Sequence, residues 1–254
     1  MRELINSKLN RIAFEKDVII LYAAESGSRA WGFASDDSDY DVRFIYRRDK
    51  ADYLRLTDYR DVIEHSEGDL DIVGWDLKKA LNLGVKSNPQ LTEWLHSPIV
   101  YRNLNGFGLR LLNLMSDKPN LVAMYHAYRS LCKSTFKAEL KGEELRIKKF
   151  FYCLRPIAAC HYIEVANEIP PTAMEWLLTA NPFPPSILTG YRELVRLKSE
   201  TEASTVLKSE WLEVYEYIEN FLTEEVSYDT IIEVPNKEAF NSFFLRELNY
   251  GMEL

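Results

Sequence analysis

The sequence predicts an α+β protein, in which strands and helices alternate over the first hundred residues and only helices follow. Two observations predict the first part. A continuous apolar run of strand length, Val18–Ala23, is followed by a run in which Val42, Phe44 and Tyr46 share one face and Asp41 and Arg43 lie on the other. A third observation predicts the second part, because apolar residues from about residue 105 onward recur at helical spacing.

The elements of the first part follow in order. Residues 2–15 have the spacing of an amphipathic helix, and 18–23 and 41–46 are strands. A loop or short helix near Tyr53 leads to a weak strand at 61–64, and another strand covers 69–75. Asp76 and Asn88 each precede a short helical segment, as helix-capping residues do.

The second part is predicted to be a helical domain. Helical segments are predicted at 106–115, 121–141, 142–166, 173–178, 186–200 and 210–222. Proline pairs near 170 and 184 interrupt them. No strand is expected here. We therefore predict two domains, 1–104 and 105–254.

Composition excludes several classes of protein. The 254 residues are 46% hydrophobic and 28% charged, as in soluble globular proteins, and no apolar stretch is long enough to span a membrane. The net charge of −8 argues against a protein that coats nucleic acid, although a local basic groove remains compatible with it. Three cysteines without a paired pattern, and an N-terminus without the apolar core of a signal peptide, predict a cytoplasmic protein.

Asp39 and Asp41 are the first candidate functional residues. Side chains two apart on a strand share a face, so both carboxylates can reach one ion. Arg43 shares that face and is a candidate either to pair with an aspartate or to bind substrate. Mg²⁺ prefers oxygen ligands and commonly uses one or two protein carboxylates together with substrate phosphates. A third carboxylate from a neighbouring strand could complete a two-metal site; Asp71 is the first choice and Asp69 the second. An Asp-rich turn is the alternative interpretation.

Gly27 and Ser28 form the second candidate. Glycine lets a backbone approach a phosphate closely, and the serine hydroxyl can donate a hydrogen bond. A strand-to-helix turn that requires glycine explains the same pair. The Gly27-Ser28 pair lies close to Asp39 in the sequence, which favours the functional interpretation.

Together these residues resemble the DNA polymerase β-like nucleotidyltransferase superfamily, whose pattern is an apolar strand, Gly-Ser, about ten residues and Asp-x-Asp. More narrowly, the chain looks like the nucleotidyltransferases associated with RNA repair. The segments that carry this likeness are E-S-G-S-R-A-W-G (25–32), S-D-Y-D-V-R-F-I-Y (38–46), D-I-V-G-W-D-L-K-K-A-L (71–81), K-S-N-P-Q-L-T-E-W-L-H-S-P-I-V-Y (86–101) and F-F-Y-C-L-R-P-I-A-A (150–159).

The resemblance implies a minimal nucleotidyltransferase fold, with a short mixed sheet and helices, in residues 1–104, followed by the helical domain. It also implies that Gly27 and Ser28 hold the nucleotide phosphates. Asp39, Asp41 and Asp71 would then be both catalytic residues and ligands of Mg²⁺ or Mn²⁺. The short interval between Ser28 and Asp39 leaves little room for a full helix, so the phosphate cradle is expected to be mostly loop.

Basic residues of the helical part are further candidates for substrate binding. Lys148, Tyr152 and Arg155 lie at i, i+4 and i+7, on one helix face. A solvated cationic face is the ordinary explanation for such a pattern. Arg155 differs because its neighbours are apolar, so it needs an anionic partner, either a nucleotide phosphate or an internal carboxylate.

The sequence therefore predicts a nucleotidyltransferase that moves a nucleoside monophosphate from a nucleoside triphosphate to an acceptor hydroxyl. The family likeness suggests an RNA end as the acceptor; a small molecule or a protein side chain stays open. A catalytically silent nucleotide- or RNA-binding protein of the same fold is the alternative, and it predicts an incomplete or misplaced set of carboxylates.

Overall fold

A computed structural model describes residues 1–180, 182–200, 204–225, 228 and 233–249. The described residues form two compact units. The first unit comprises 1–30, 38–120 and 233–249, and the second comprises 31–37 and the described residues from 121 to 228.

The first unit contains a five-stranded sheet with helices. Its strands are β1 (Ile19–Glu25), β2 (Tyr40–Arg47), β3 (Val62–Glu67), β4 (Leu70–Asp76) and β5 (Val100–Asn103). Its helices are α1 (Arg2–Lys16), α3 (Lys50–Tyr53), α4 (Leu77–Gly84), α5 (Pro89–Leu95), α6 (Phe107–Ser116) and α12 (Lys237–Asn249). The short helix α2 (Gly27–Trp31) begins here and ends at the first residue of the second unit.

The sheet is mixed, as the family likeness implied. Its strand order is β3-β4-β2-β1-β5, and β2 and β4 run parallel whereas the other neighbours are antiparallel. One face of the sheet packs on α1 through an apolar cluster that includes Ile5, Leu9 and Phe44. Gly74 lies under the Phe44 ring, where an added Cβ would approach that ring to 2.1 Å. The core thus fixes the central strands that carry the candidate aspartates.

The second unit is mainly helical. Its helices are α7 (Leu121–Glu139), α8 (Ile147–Ala166), α9 (Met174–Ala180), α10 (Pro185–Glu200) and α11 (Leu212–Thr223). Its centre is apolar and aromatic, with Tyr128, Phe150 and Ile157 buried.

Two strands in this region were not predicted. β6 (Glu144–Arg146) and β7 (Thr205–Leu207) pair antiparallel, so the expectation of no strand after residue 105 is wrong. Each strand has three residues, which is too short for an alternating pattern to be recognised.

The compact units differ from the predicted domain boundary between residues 104 and 105. Helices α6 and α12 group with the sheet, although both fall in the predicted helical domain. Arg110 on α6 donates to both carboxylate oxygens of Glu247 on α12, at 2.8 and 2.9 Å. Such a contact, between residues 137 positions apart, leaves no local pattern in the sequence.

Candidate functional site

Asp41 and Asp71 lie side by side at the middle of the sheet. The parallel register of β2 and β4 places Asp41 directly opposite Asp71 and Arg43 opposite Val73. Residues opposite each other on neighbouring strands point to the same face, and about a third of each carboxylate side chain is exposed. The pairing therefore brings together two of the three predicted carboxylates.

Arg43 connects these two carboxylates. Its Nη2 lies 2.9 Å from Oδ1 of Asp41 and 2.9 Å from Oδ2 of Asp71, and its Nη1 donates to the backbone carbonyl of Asp71 at 3.1 Å. The guanidinium thus offsets part of the repulsion between two adjacent anions. Ser66 on β3 donates to the other Asp71 oxygen at 3.0 Å, so both oxygens of that carboxylate have a donor.

Gly27 lies against the Asp41 carboxylate. Its φ is +61°, in the left-handed region that favours glycine, and an added Cβ would lie 2.1 Å from Oδ2 of Asp41. The N–H of Ser26 donates to the backbone carbonyl of Asp41 at 2.8 Å. The turn that holds Gly27 and the half-exposed Ser28 is therefore fixed beside the carboxylate pair.

Glu25 is a buried carboxylate that sequence reasoning did not select. It is 1% exposed at the end of β1, accepts the N–H of Asp41 at 2.8 Å and accepts the hydroxyl of Tyr101 on β5. Burial raises the pKa of this carboxyl group, against the opposing effect of its hydrogen bonds. The signal in the sequence was an acidic residue that ends an apolar strand directly before Ser-Gly-Ser.

Asp39, the first residue of the Asp-x-Asp pair, is exposed and precedes β2. Its backbone carbonyl accepts Nε of Arg29 at 3.2 Å, and the Arg29 guanidinium lies 3.8 Å from the centre of the Tyr40 ring. Asp69, the alternative third carboxylate, is also exposed. Throughout the described residues, no three His, Cys, Asp or Glu side chains lie close enough together to hold a metal ion.

In the second unit, Arg155 is buried beside a backbone carbonyl and an indole ring. It is 2% exposed, and Nε and Nη2 donate to the backbone carbonyl of Thr172 at 3.2 and 3.1 Å. Its guanidinium also lies 4.9 Å from the centre of the Trp31 ring. A carbonyl and an indole are thus among its partners, and both can solvate a buried cation. The predicted anionic partner stays a prediction.

Lys148 and Tyr152 lie on α8 with Arg155 but in a different environment. Lys148 is exposed, and its Nζ is 5.7 Å from the centre of the Tyr152 ring. Tyr152 makes an edge-to-face contact with Trp31, with ring centres 5.6 Å apart. The three residues therefore run from the surface to the interior and do not form one solvated cationic face.

Comparison with known proteins extends these observations. The sequence model of the RlaP family, described as the RNA repair pathway DNA polymerase beta family, matches residues 1–246. This chain belongs to that family. It is also 44% identical, over 205 residues, to the uncharacterized protein YcgL of Bacillus subtilis (strain 168), covering 80% of this chain and 78% of that protein.

The RlaP match includes every candidate residue described above, in both units. Membership places the chain in a DNA polymerase β-like, nucleotidyltransferase-type family associated with RNA repair. Within the part of the chain that the structure describes, no helix is long and apolar enough to cross a membrane.

The side-chain atoms of Asp41 and Asp71 decide whether this RlaP member can bind a divalent cation. Asp41 and Asp71 offer hard oxygen donors on adjacent strands, which is the ligand type that Mg²⁺ and Mn²⁺ prefer. One or two protein carboxylates suffice when substrate phosphates supply further ligands. The pair therefore fits such an ion by donor type and by its place on adjacent strands, with Arg43 as a neighbouring cation.

Proposed function

We propose that this protein is a nucleotidyltransferase that moves a nucleoside monophosphate from a nucleoside triphosphate to an acceptor hydroxyl at an RNA end. The proposal rests on one observation above all, the in-register Asp41–Asp71 pair beside the Gly27 turn. Membership of an RNA repair family with a polymerase β-like fold supports both the reaction class and the acceptor.

Asp41 and Asp71 would hold Mg²⁺ or Mn²⁺ together with substrate phosphates. Asp39, which does not cluster with them among the described residues, would have to turn toward the pair to serve as the third ligand. When bound, the metal supplies positive charge to the transferring phosphate and to the attacking and leaving oxygens. Gly27 and Ser28 would contact the nucleotide phosphates, because the turn offers a closely approachable backbone and a hydroxyl.

Arg43 would position the carboxylates. It donates to one oxygen of each aspartate, so it fixes the orientation in which the remaining oxygens are presented. Glu25 would act indirectly, because it accepts the backbone N–H of Asp41 and the hydroxyl of Tyr101.

Transfer of an α-phosphate label tests the proposal. We expect labelled nucleoside triphosphate, Mg²⁺ or Mn²⁺ and RNA with a free 3′ hydroxyl to give labelled RNA. Asp41→Asn and Asp71→Asn should each lower the rate at least a hundredfold, because each removes a charged oxygen donor. Asp69→Asn is the matched control, since it removes an exposed carboxylate two residues from Asp71. Transfer that survives Asp39→Asn combined with Asp41→Asn contradicts the proposed site.

One observation favours the second candidate, a catalytically silent nucleotide- or RNA-binding protein. Arg43 pairs with both carboxylates, and among the described residues Asp39 does not join them in a three-carboxylate cluster. This candidate predicts nucleotide or RNA binding in the same assay without label transfer to any acceptor. It also predicts that Asp41→Asn leaves that binding unchanged.

A further inference from the structure

The second unit contains two neighbouring cavities that the proposed reaction does not explain. Their volumes are about 520 and 730 Å³, within the range of ligand sites in proteins. Three residues, Pro182, Leu188 and Arg192, line both. The cavities are therefore two compartments with a common boundary.

The first compartment has aromatic and apolar walls. Trp31, Tyr191 and Met174 are among its lining residues, and Glu175 and Thr179 supply polar groups. Trp31 is held in place from two sides, by the Arg155 guanidinium and by the edge of Tyr152. Arg155 also binds the carbonyl of Thr172, two residues before Met174, so it links two walls of the compartment.

The second compartment is lined by three rings that contact one another. The ring centres of His161 and Phe183 are 6.5 Å apart, and those of Phe183 and Tyr217 are 5.7 Å apart. Burial lowers the pKa of His161, so this ring is neutral at physiological pH. The hydroxyl of Tyr217 is buried and has no hydrogen-bond partner among the described residues.

Arg192 is the charged group at the boundary. It is exposed and makes no hydrogen bond or ion pair with any residue that the structure describes. Arg196, one turn later on α10, differs because it pairs with Glu193 and Glu200. A cation without a partner favours an anion as the ligand at this boundary, although the net charge of the whole chain is −8.

We propose that the two compartments bind two successive nucleotides of a single-stranded nucleic acid, one base in each, with Arg192 on the phosphate between them. Aromatic walls accept any base by stacking, and a cation beside them binds the backbone, which is how proteins hold single strands without strong sequence preference. The inference rests on the proposed function, since an RNA acceptor requires a binding site of this chemistry.

Binding of a fluorescently labelled single-stranded oligouridylate, measured by anisotropy at several salt concentrations, tests this site. Arg192→Gln should weaken binding about tenfold at low salt and reduce the slope of log affinity against log salt by about 0.7, the value for one phosphate contact on a single strand. Arg196→Gln removes the same charge from the same helix but lines neither compartment, so its affinity and slope should equal those of the wild type.

The rings are tested separately. Tyr217→Leu should weaken binding about tenfold, because a stacked base is lost, whereas Tyr217→Phe keeps the ring and should bind like the wild type. A dinucleotide should compete with the oligonucleotide far better than a mononucleotide, because two compartments are filled. Thermal unfolding of each variant establishes that it is folded.

Two outcomes overturn the inference: no measurable binding by the wild type, or equal loss in Arg192→Gln and Arg196→Gln. The same assay with Asp41→Asn separates this inference from the proposed reaction. In Asp41→Asn we expect unchanged oligonucleotide binding with label transfer lowered at least a hundredfold. Oligonucleotide binding by a wild-type protein that transfers no label supports the two-compartment site and contradicts the reaction. If Arg192→Gln changes neither label transfer nor oligonucleotide binding, the result supports the reaction and contradicts the two-compartment site.

Discussion

Gly27 is a residue at which backbone conformation and side-chain packing both require glycine. Its φ of +61° lies in the left-handed region, and the space where a Cβ would lie is taken by the Asp41 carboxylate. The sequence suggested two explanations for this glycine, a tight turn and a close approach to a ligand. The observed close approach is to a carboxylate of the protein itself, and the contact with phosphate stays a prediction.

Gly27→Ala should therefore destabilise the protein more than an ordinary glycine substitution at positive φ. Gly68 is the matched control, because its φ is +58° and nothing lies within 4 Å of an added Cβ. Both variants lose roughly 1–2 kcal/mol to the left-handed backbone. Only Gly27→Ala also displaces Asp41. Chemical denaturation measures the difference, and equal losses in the two variants would show that Asp41 moves aside at no cost.

Individual elements were predictable where the sequence carried a repeating signal. Strands β1, β2 and β4 have continuous or alternating apolar residues, and Asn88 accepts the N–H of Leu91 at 3.1 Å as a helix cap does. Strands β6 and β7, with three residues each, carry no such signal. The register that places Asp41 opposite Asp71 could not be predicted from the sequence either, because it depends on pairing between strands that are separated in the chain.

The N-cap of α4 should make stability depend on pH. Asp76 is fully buried, accepts the N–H of Lys78 at 2.8 Å and the hydroxyl of Tyr53 at 3.0 Å, and burial raises the pKa of its carboxyl group above 3.8. A raised pKa means that the contribution to stability is fully present below the unfolded-state pKa and is lost as pH rises through the folded-state pKa. Asp76→Asn keeps a cap residue but cannot titrate.

The free energy of unfolding of Asp76→Asn, relative to the wild type, should therefore increase from about pH 4 to neutral pH. Denaturant titrations of both proteins across this range measure it. A difference between the two proteins that stays constant with pH, or that changes in the opposite direction, would contradict the raised pKa.

Arg155 is expected to stabilise the packing around α8. Arg155→Ala removes two hydrogen bonds to the Thr172 carbonyl and the cation above Trp31, in a fully buried position. We expect a loss of about 2–4 kcal/mol in the free energy of unfolding. Lys148→Ala, on the exposed side of the same helix, should change it little. Reduced nucleoside triphosphate affinity in Arg155→Ala with unchanged stability would instead support a phosphate contact.

On the scale of the whole molecule, the first unit is assembled from separate stretches of the chain. Its sheet comes from the first 103 residues, whereas α12 belongs to the end of the described chain. No element was predicted after residue 222, although α12 has buried apolar residues at helical spacing. Its Phe240 and Phe243 pack near Gly84 and Phe107, which lie far away in the chain. The likeness of five segments to a family predicted the type of fold. It did not predict that α12 packs in the same unit as the sheet.

A double-mutant cycle on Arg110 and Glu247 tests this assembly. Glu247 is 3% exposed at its side chain and receives both hydrogen bonds from one Arg110 nitrogen, so the two single substitutions to alanine should not be additive. We expect a coupling energy of about 1–3 kcal/mol in the free energy of unfolding. The exposed pair Arg196 and Glu200 provides the control cycle, and its coupling should be close to zero because solvent screens it. Similar coupling in both cycles would mean that α12 contributes no more to the first unit than a surface ion pair does, since the Arg110–Glu247 contact would then be as weak as a solvent-exposed one.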